Sequence, residues 1–273
     1  MEKKLMIIIA VVVVLLLATG GIVYMLMNQH QAKDIKTVDD LNGAYIAVQT
    51  GTTGDDYAKE NYEDSGKATV CRYTTYNDAV TDLKNKKVDA IIMDKTPAET
   101  FVAKNSGLRI LELDSEKEYY GFAFKKDNTA LRDSFNTALA TIKANGTYDE
   151  ILEYWSAHSD GNAAPKISST GTGATTIKVA TSPDFPPYDA LYDNAYTGID
   201  MDIVRAICNE LNYKVEFVNV DFDGIVTGVS TGVYDVGASG LTINEERQKE
   251  VLFSDAYAES VQVAVVRIVE ESQ

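Results

Sequence analysis

The chain reads as an α/β protein of two lobes, and three observations lead there. From residue 35 onward, apolar runs of strand length alternate with segments of helical periodicity. A pattern also recurs inside the chain. Residues 76–81 (YNDAVT) match residues 222–227 (FDGIVT), and at the same offset Asp89 matches Asp235 and Asp94 matches Gly240. Each lobe then looks like a variant of one β-α-β unit, with Asp94 and Gly240 at equivalent strand ends facing each other across a cleft. The third observation is size, since 273 residues with 45% hydrophobic content suffice for one large two-lobed domain or two small ones.

Taken in order, residues 5–27 form an uninterrupted uncharged run behind Met-Glu-Lys-Lys, and about 20 such residues span a bilayer as a helix. Residues 1–28 are therefore read as an uncleaved membrane anchor, with Lys3 and Lys4 holding the N-terminus inside and the remainder outside. A cleaved signal peptide is the alternative. Residues 44–48 form a strand, followed by the turn at 49–54 (QTGTTG) and a helix that begins in DDYAKE. Such a Gly- and Thr-rich turn offers N–H groups and hydroxyls to an anion, but it lacks the lysine of a phosphate-binding loop.

Next come a strand near Cys71, a helix with Ala79, Val80 and Leu83 on one face, and a strand that ends at Asp94. Residues 119–124 read as a single further strand. A helix follows with Leu131, Phe135, Leu139 and Ile142 on one face, stopping at Asn145-Gly146. Thr147 and Glu150 form a capping box for another helix, whose apolar face carries Ile151, Leu152 and Trp155. Residues 158–176, rich in Gly, Ser, Thr and Ala, read as a flexible linker. A strand and a helix then reopen the α/β pattern at residues 177–211.

The most informative stretch is residues 234–257. Residues 233–238 read as a short buried strand ending in Ser239 and Gly240, small residues that let another molecule approach the backbone. Asn244 is a good N-cap and Glu245 and Glu246 favour a first turn, which puts Arg247 on a short rigid helix. Its planar guanidinium suits a carboxylate held by two parallel hydrogen bonds, and a surface salt bridge is the plainer reading.

Composition narrows the chemistry. A net charge of −16 argues against nucleic acid as a partner. His30 and His158 are the only histidines, and neither is placed to serve a zinc site or an activated nucleophile. The Asp-x-Asp-Gly at residues 221–224 lacks the later ligands of a calcium loop. Cys71 and Cys208 fall in different lobes, whereas a disulfide needs Cα atoms within about 7 Å, so both are expected to be buried free thiols. No metal, cofactor or catalytic residue is expected.

The runs S-G-L-T-I-N-E-E-R (residues 239–247) and F-S-D-A-Y (residues 253–257) resemble the motif of the periplasmic polar amino acid-binding proteins, solute-binding protein family 3, which feed ABC importers. The resemblance implies the clamshell fold known as periplasmic-binding-protein type II. It gives Arg247 the ligand's α-carboxylate, and gives Thr242 and Gly240 shares of the carboxylate and ammonium. Thr53 matches the family's second carboxylate-binding turn. Asp94, which could otherwise simply cap a turn, matches its ammonium acceptor. Phe185 and Phe222, more often core residues on general grounds, become two walls around the ligand side chain, with Gln49 and Met93 completing that pocket. Ser182 stands where relatives that bind cationic or amide side chains commonly carry an Asp, a departure that argues against a lysine or arginine ligand.

Against the family pattern the lobes come in inverted order, which reads as a circular permutation. Residues 35–118 would form lobe 2, 119–157 the C-terminal part of lobe 1, and 177–268 its N-terminal part, with 158–176 joining the old ends. A truncated second domain in a tandem array is the alternative. The permutation implies a loosened hinge that keeps only the crossing near Tyr119, the other being cut between Arg267 and about Lys33. The expected function is amino acid capture for a permease and an ATPase on separate chains. The alternatives are a sensor module and an enzyme resembling cyclohexadienyl dehydratase.

Overall fold

The computed structural model describes residues 30–168 and 171–269. The run at residues 5–27 lies outside them, and among the described residues no helix is long and apolar enough to cross a membrane.

In chain order, β1 (Tyr45–Gln49), α1 (Thr53–Ala58), β2 (Thr69–Tyr73), α2 (Tyr76–Lys84), β3 (Ala90–Asp94), α3 (Lys95–Lys104) and β4 (Leu108–Glu112) build the first lobe. The chain leaves it through β5 (Glu118–Tyr120) and enters the second lobe at β6 (Ala123–Lys125). That lobe continues with α4 (Thr129–Ala144), α5 (Thr147–Ala157), β7 (Thr176–Thr181), the hairpin β8 (Ala190–Tyr192) and β9 (Ala195–Thr197), and α6 (Ile199–Glu210). It closes with β10 (Lys214–Asn219), α7 (Ile225–Ser230), β11 (Val236–Gly237), α8 (Glu245–Glu250) and β12 (Val251–Phe253). The chain returns through β13 (Ala258–Ser260) to β14 (Gln262–Arg267), the last strand among the described residues.

The two sheets share one plan, β2-β1-β3-β14-β4 and β10-β7-β11-β6-β12. In each, the first three strands are parallel and the fourth, arriving from the hinge, runs antiparallel to its neighbours. The internal repeat is visible atom by atom. Tyr45 N donates to Asp89 Oδ2 at 2.9 Å while Asp89 N donates to Tyr45 O at 2.8 Å. Lys178 N donates to Asp235 Oδ2 at 2.8 Å while Asp235 N donates to Lys178 O at 2.9 Å. A carboxylate that bonds back to the neighbouring strand thus immediately precedes both β3 and β11.

Burial explains where the elements lie. In α2, Tyr76, Ala79, Val80 and Leu83 are buried on one face, and in α4 the buried set is Phe135, Ala138, Leu139 and Ile142. Leu131 and Leu152, expected on apolar faces, pack only partly buried against this core. Smaller clusters cover the outer face of each sheet, around Ile46, Val48 and Ile92 in the first lobe and Ile225, Val229 and Leu241 in the second. Strands β6 and β7 belong to one sheet, so segments on either side of residues 158–176 complete a single lobe.

Several sequence expectations are corrected. The hinge keeps both crossings, because β5 and β13 pair antiparallel with Tyr120 opposite Ala258 and Glu118 opposite Ser260. Residues 262–267 belong to the first lobe's sheet rather than to the 177–268 half of the other lobe, hydrogen-bonded on both sides to β3 and β4. The expected strand over residues 119–124 breaks at Gly121 and Phe122, where the chain changes sheets. A Cβ on Gly121 would lie 2.8 Å from Ile243 Cδ1. The strand at residues 233–238 shrinks to Val236–Gly237, with Val233 61% exposed beyond a turn in which Gly232 has φ +80°. Thr147 does not cap α5; Gly146, at φ +86°, holds that position. Cys71 is half-buried, while Cys208 is fully buried and its thiol pushed up to about 12 by burial.

The expected flexible linker is tied down at several of its described residues. Asp202, completely buried, accepts from Lys166 N at 2.9 Å and Ile167 N at 3.2 Å. Asn212 Oδ1 accepts from Thr172 N at 3.0 Å and Gly173 N at 3.1 Å, and Tyr154 Oη donates to Ala164 O at 2.8 Å.

Candidate functional site

Strand ends and helix starts of both lobes meet at one cavity, lined by Gln49, Thr52, Thr53, Asp94, Phe185, Phe222, Gly240, Thr242 and Arg247. It is nearly shut, with about 10 Å³ open to the centre of a water molecule, room for about one water. A ligand larger than water enters only if the lobes part.

Arg247 is held by its helix. Asn244 Oδ1 accepts from Arg247 N at 2.8 Å, fixing the first turn of α8. The guanidinium donates from Nη1 to Thr242 O at 3.0 Å and from Nη2 to Gly51 O at 3.0 Å, and sits 5.4 Å over the Phe222 ring. Its partners are backbone carbonyls, and among the described residues it makes no ion pair. Burial pulls its pKa below the ordinary value, against the pull of Asp56, Glu118 and Asp94.

Gly240 has φ +54°, a conformation glycine adopts without strain. A Cβ there would stand 2.8 Å from Phe185 Cε1. Its amide donates to Asp200 Oδ2 at 2.8 Å. Behind it lie two fully buried carboxyls, Asp189 and Asp200, both pushed up by burial, Asp200 to about 7. Ser239 Oγ donates to Asp189 Oδ2 at 2.8 Å and Tyr257 Oη donates to Asp200 Oδ2 at 2.7 Å.

From the first lobe, Thr52 caps α1 by accepting from Asp55 N at 3.1 Å, which sets Thr53 on the first helical turn. Asp94 ends β3, buried, and accepts from Tyr120 Oη at 2.7 Å. Desolvation, then the nearby Glu118 charge, push its pKa up to about 6.

Eight of the nine residues expected from sequence share the cavity. Ser182 does not line it; its hydroxyl donates to Asp184 Oδ1 at 3.1 Å and its amide to Ser239 Oγ at 3.1 Å. Met93 is buried in the core, off the cavity. Phe185 also stacks with Tyr76 of the other lobe and with Tyr188, ring centroids 5.8 Å and 6.0 Å away. Asp184 reaches across the cleft as well, accepting from Tyr76 N at 2.9 Å at the start of α2 and lying 3.4 Å from Gln49 Nε2.

Sequence reasoning missed Glu118 and Gln262. Glu118 Oε2 accepts from Thr53 Oγ1 at 2.7 Å and from Thr242 Oγ1 at 2.6 Å, and Oε1 accepts from Gln262 Nε2 at 3.1 Å. The alternation of a strand held the signal: Glu118 stands two residues before Tyr120 and so projects to the same side.

Outside the cavity, and sharing Phe222 and Arg247 with it, a groove of about 200 Å³ carries Asp56, Asp223, Glu246 and Glu250. The mouth is acidic, which attracts cationic groups.

The chain is similar in sequence to known proteins. The profile of the bacterial extracellular solute-binding proteins, family 3, matches residues 49–158 and 177–271. The chain is 33% identical over 125 residues to ABC transporter arginine-binding protein 1 of Escherichia coli (strain K12), covering 44% of this chain and 50% of that protein. It is 37% identical over 116 residues to the arginine-binding periplasmic protein of Mannheimia haemolytica, covering 40% and 47%. Among solved structures, an ancestral arginine-binding protein bound to glutamine is 43% identical over 30% of this chain and 37% of that one, with a TM-score of 0.29. The chain spans about half the length of these curated relatives. With its family profile matched across both lobes, the chain belongs to the bacterial extracellular solute-binding proteins, family 3.

Proposed function

We propose that this chain captures a free polar amino acid outside the cytoplasm and delivers it to an ABC permease and ATPase carried on separate chains. The observation that carries this reading is the shared cavity of Arg247 and Asp94, a buried cation on one lobe and a buried carboxylate on the other. An amino acid zwitterion satisfies both. Arg247, with the Thr242 and Thr53 hydroxyls, takes the carboxylate; Asp94, with the Gly240 carbonyl, takes the ammonium; Phe185, Phe222 and Gln49 flank the side chain. A ligand bridging the lobes favours the closed state by its differential affinity for it.

L-Arginine is the first ligand to test, since both curated relatives cited above are named for it and the groove outside Arg247 is acidic. The uncharged run at residues 5–27 behind Lys3 and Lys4 supports display on the outer face of a membrane through an N-terminal helix. The lobe order reads as a circular permutation with residues 158–176 joining former ends. It is supported by the single sheet that β6 and β7 share across that segment. The function assigns no catalytic residue and no cofactor.

A thermal-shift screen of the common amino acids tests the reading. A true ligand at 100 times its Kd adds about 2.7 kcal/mol of stability, and a screen in which none raises the melting temperature rejects it.

A further inference from the structure

The hinge strand β5 brings a carboxylate into the heart of the site. Glu118 Oε2 is shared by the hydroxyls of Thr53, on the first lobe, and Thr242, on the second, at 2.7 Å and 2.6 Å. Gln262, where the chain re-enters the first lobe, bonds Thr53 Oγ1 at 3.2 Å as well as Glu118 Oε1 at 3.1 Å. One side chain thus links both lobes and both hinge crossings.

Hydroxyl bonds to a carboxylate belong to the stronger class of hydrogen bonds. A threonine hydroxyl has a single proton to donate. While it donates to Glu118, it cannot donate to a second carboxylate. Thr53 and Thr242 are also the hydroxyls that the amino acid reading gives to the ligand's carboxylate. Arg247, in contrast, bonds only backbone carbonyls among the described residues and keeps its charge for the ligand.

We propose that Glu118 sets the affinity of the site as an internal stand-in for the ligand's carboxylate, holding the lobes closed on the Thr53 and Thr242 hydroxyls until a ligand displaces it. Binding is then an exchange of one carboxylate for another. The ligand gains the guanidinium that Glu118 leaves unpaired, and it must outcompete a group already seated on the hydroxyls. The closed state held by Glu118 leaves about 10 Å³ for water centres, so it competes with the liganded state rather than preceding it. Removing the competitor favours the ligand.

This inference rests on the amino acid reading of the site, and its test has one arm that does not. In the full chain without ligand, hydrogen exchange is measured over residues 51–56 and 239–244 for wild type and Glu118→Ala. Loss of the tie is expected to speed exchange in both segments. In the second arm, titration calorimetry with L-arginine is expected to show Glu118→Ala binding about 5-fold tighter or more, the low end of couplings between sites. Glu118→Gln keeps the reach and one acceptor oxygen, and its affinity is expected to fall between the two.

Unchanged exchange in Glu118→Ala overturns the proposal. So does weaker binding in both variants, which would make Glu118 a direct ligand contact. A wild-type chain that binds no amino acid rejects the functional reading instead, and the exchange arm still decides whether Glu118 ties the lobes.

Discussion

Arg247 Nη2 lies 3.0 Å from the carbonyl oxygen of Gly51, a hydrogen bond from a helix of the second lobe to a turn of the first. Two further contacts span the same cleft, Asp184 with Tyr76 N and Glu118 with its two threonines. The carboxylates of the first lobe and the hinge leave the site richer in acceptors than in cations. On the proposed function, a ligand bearing an ammonium group answers that imbalance, and Arg247 answers its carboxylate. Four predictions follow this division of charge and the packing that supports it.

Asp94 titrates at about 6 because burial and Glu118 disfavour its ionised form. An ammonium ligand needs the carboxylate ionised, and binding therefore releases the proton below that pH. Affinity for L-arginine is expected to hold steady from pH 8 to 7 and then fall toward about tenfold per unit below pH 6. Asp94→Asn is expected to bind weakly with no such step. Titration calorimetry at several pH values checks this, and a flat profile down to pH 5 removes Asp94 from the ammonium site.

Asp200 is raised from 3.8 to about 7 by burial, so the folded chain keeps a proton there that the unfolded chain gives up. Stability from this group is fully present below the unfolded pKa and is lost as pH rises through the folded one. The melting temperature is expected to decline between about pH 4 and pH 7 on account of this group. Asp200→Asn keeps an acceptor for Gly240 N and Tyr257 Oη and is expected to flatten the decline. An equal slope in wild type and variant contradicts the assignment.

Asp202 anchors both a helix and the joining segment. Besides Lys166 N and Ile167 N, it accepts from Trp155 Nε1 at 2.7 Å and from Arg205 Nη1 at 3.1 Å, with both side chains buried. Asp202→Ala strands a buried guanidinium and is expected to cost about 3 to 5 kcal/mol. Trypsin is expected to cut after Lys166 sooner than in wild type. Chemical denaturation and timed proteolysis measure the two effects, and a variant as stable and as resistant as wild type would leave the segment unanchored by Asp202.

The parts legible in the sequence were those whose causes are local. Asn244 announces α8 because its side chain caps the very turn that carries Arg247. The internal repeat pointed to Asp94 and Gly240 because equivalent carboxylates, Asp89 and Asp235, bond back in the same way.

What escaped depended on partners distant in the chain. The apolar run at residues 262–267 fits either sheet by pattern, and only its pairing with β3 and β4 decides between them. The joining segment has a flexible composition, yet Asp202 and Asn212, more than thirty residues away, hold it. Glu118 sits in a charged stretch with no motif, and its role emerges only when the two lobes bring Thr53 and Thr242 together.

The most direct test is titration calorimetry of L-arginine into the wild-type chain and Arg247→Ala. Saturable one-to-one binding by wild type is expected, weakened in the variant by about 2 to 5 kcal/mol, as when one partner of a buried charge pair is removed. Equal affinity in the two proteins would contradict the claim that Arg247 grips the ligand's carboxylate.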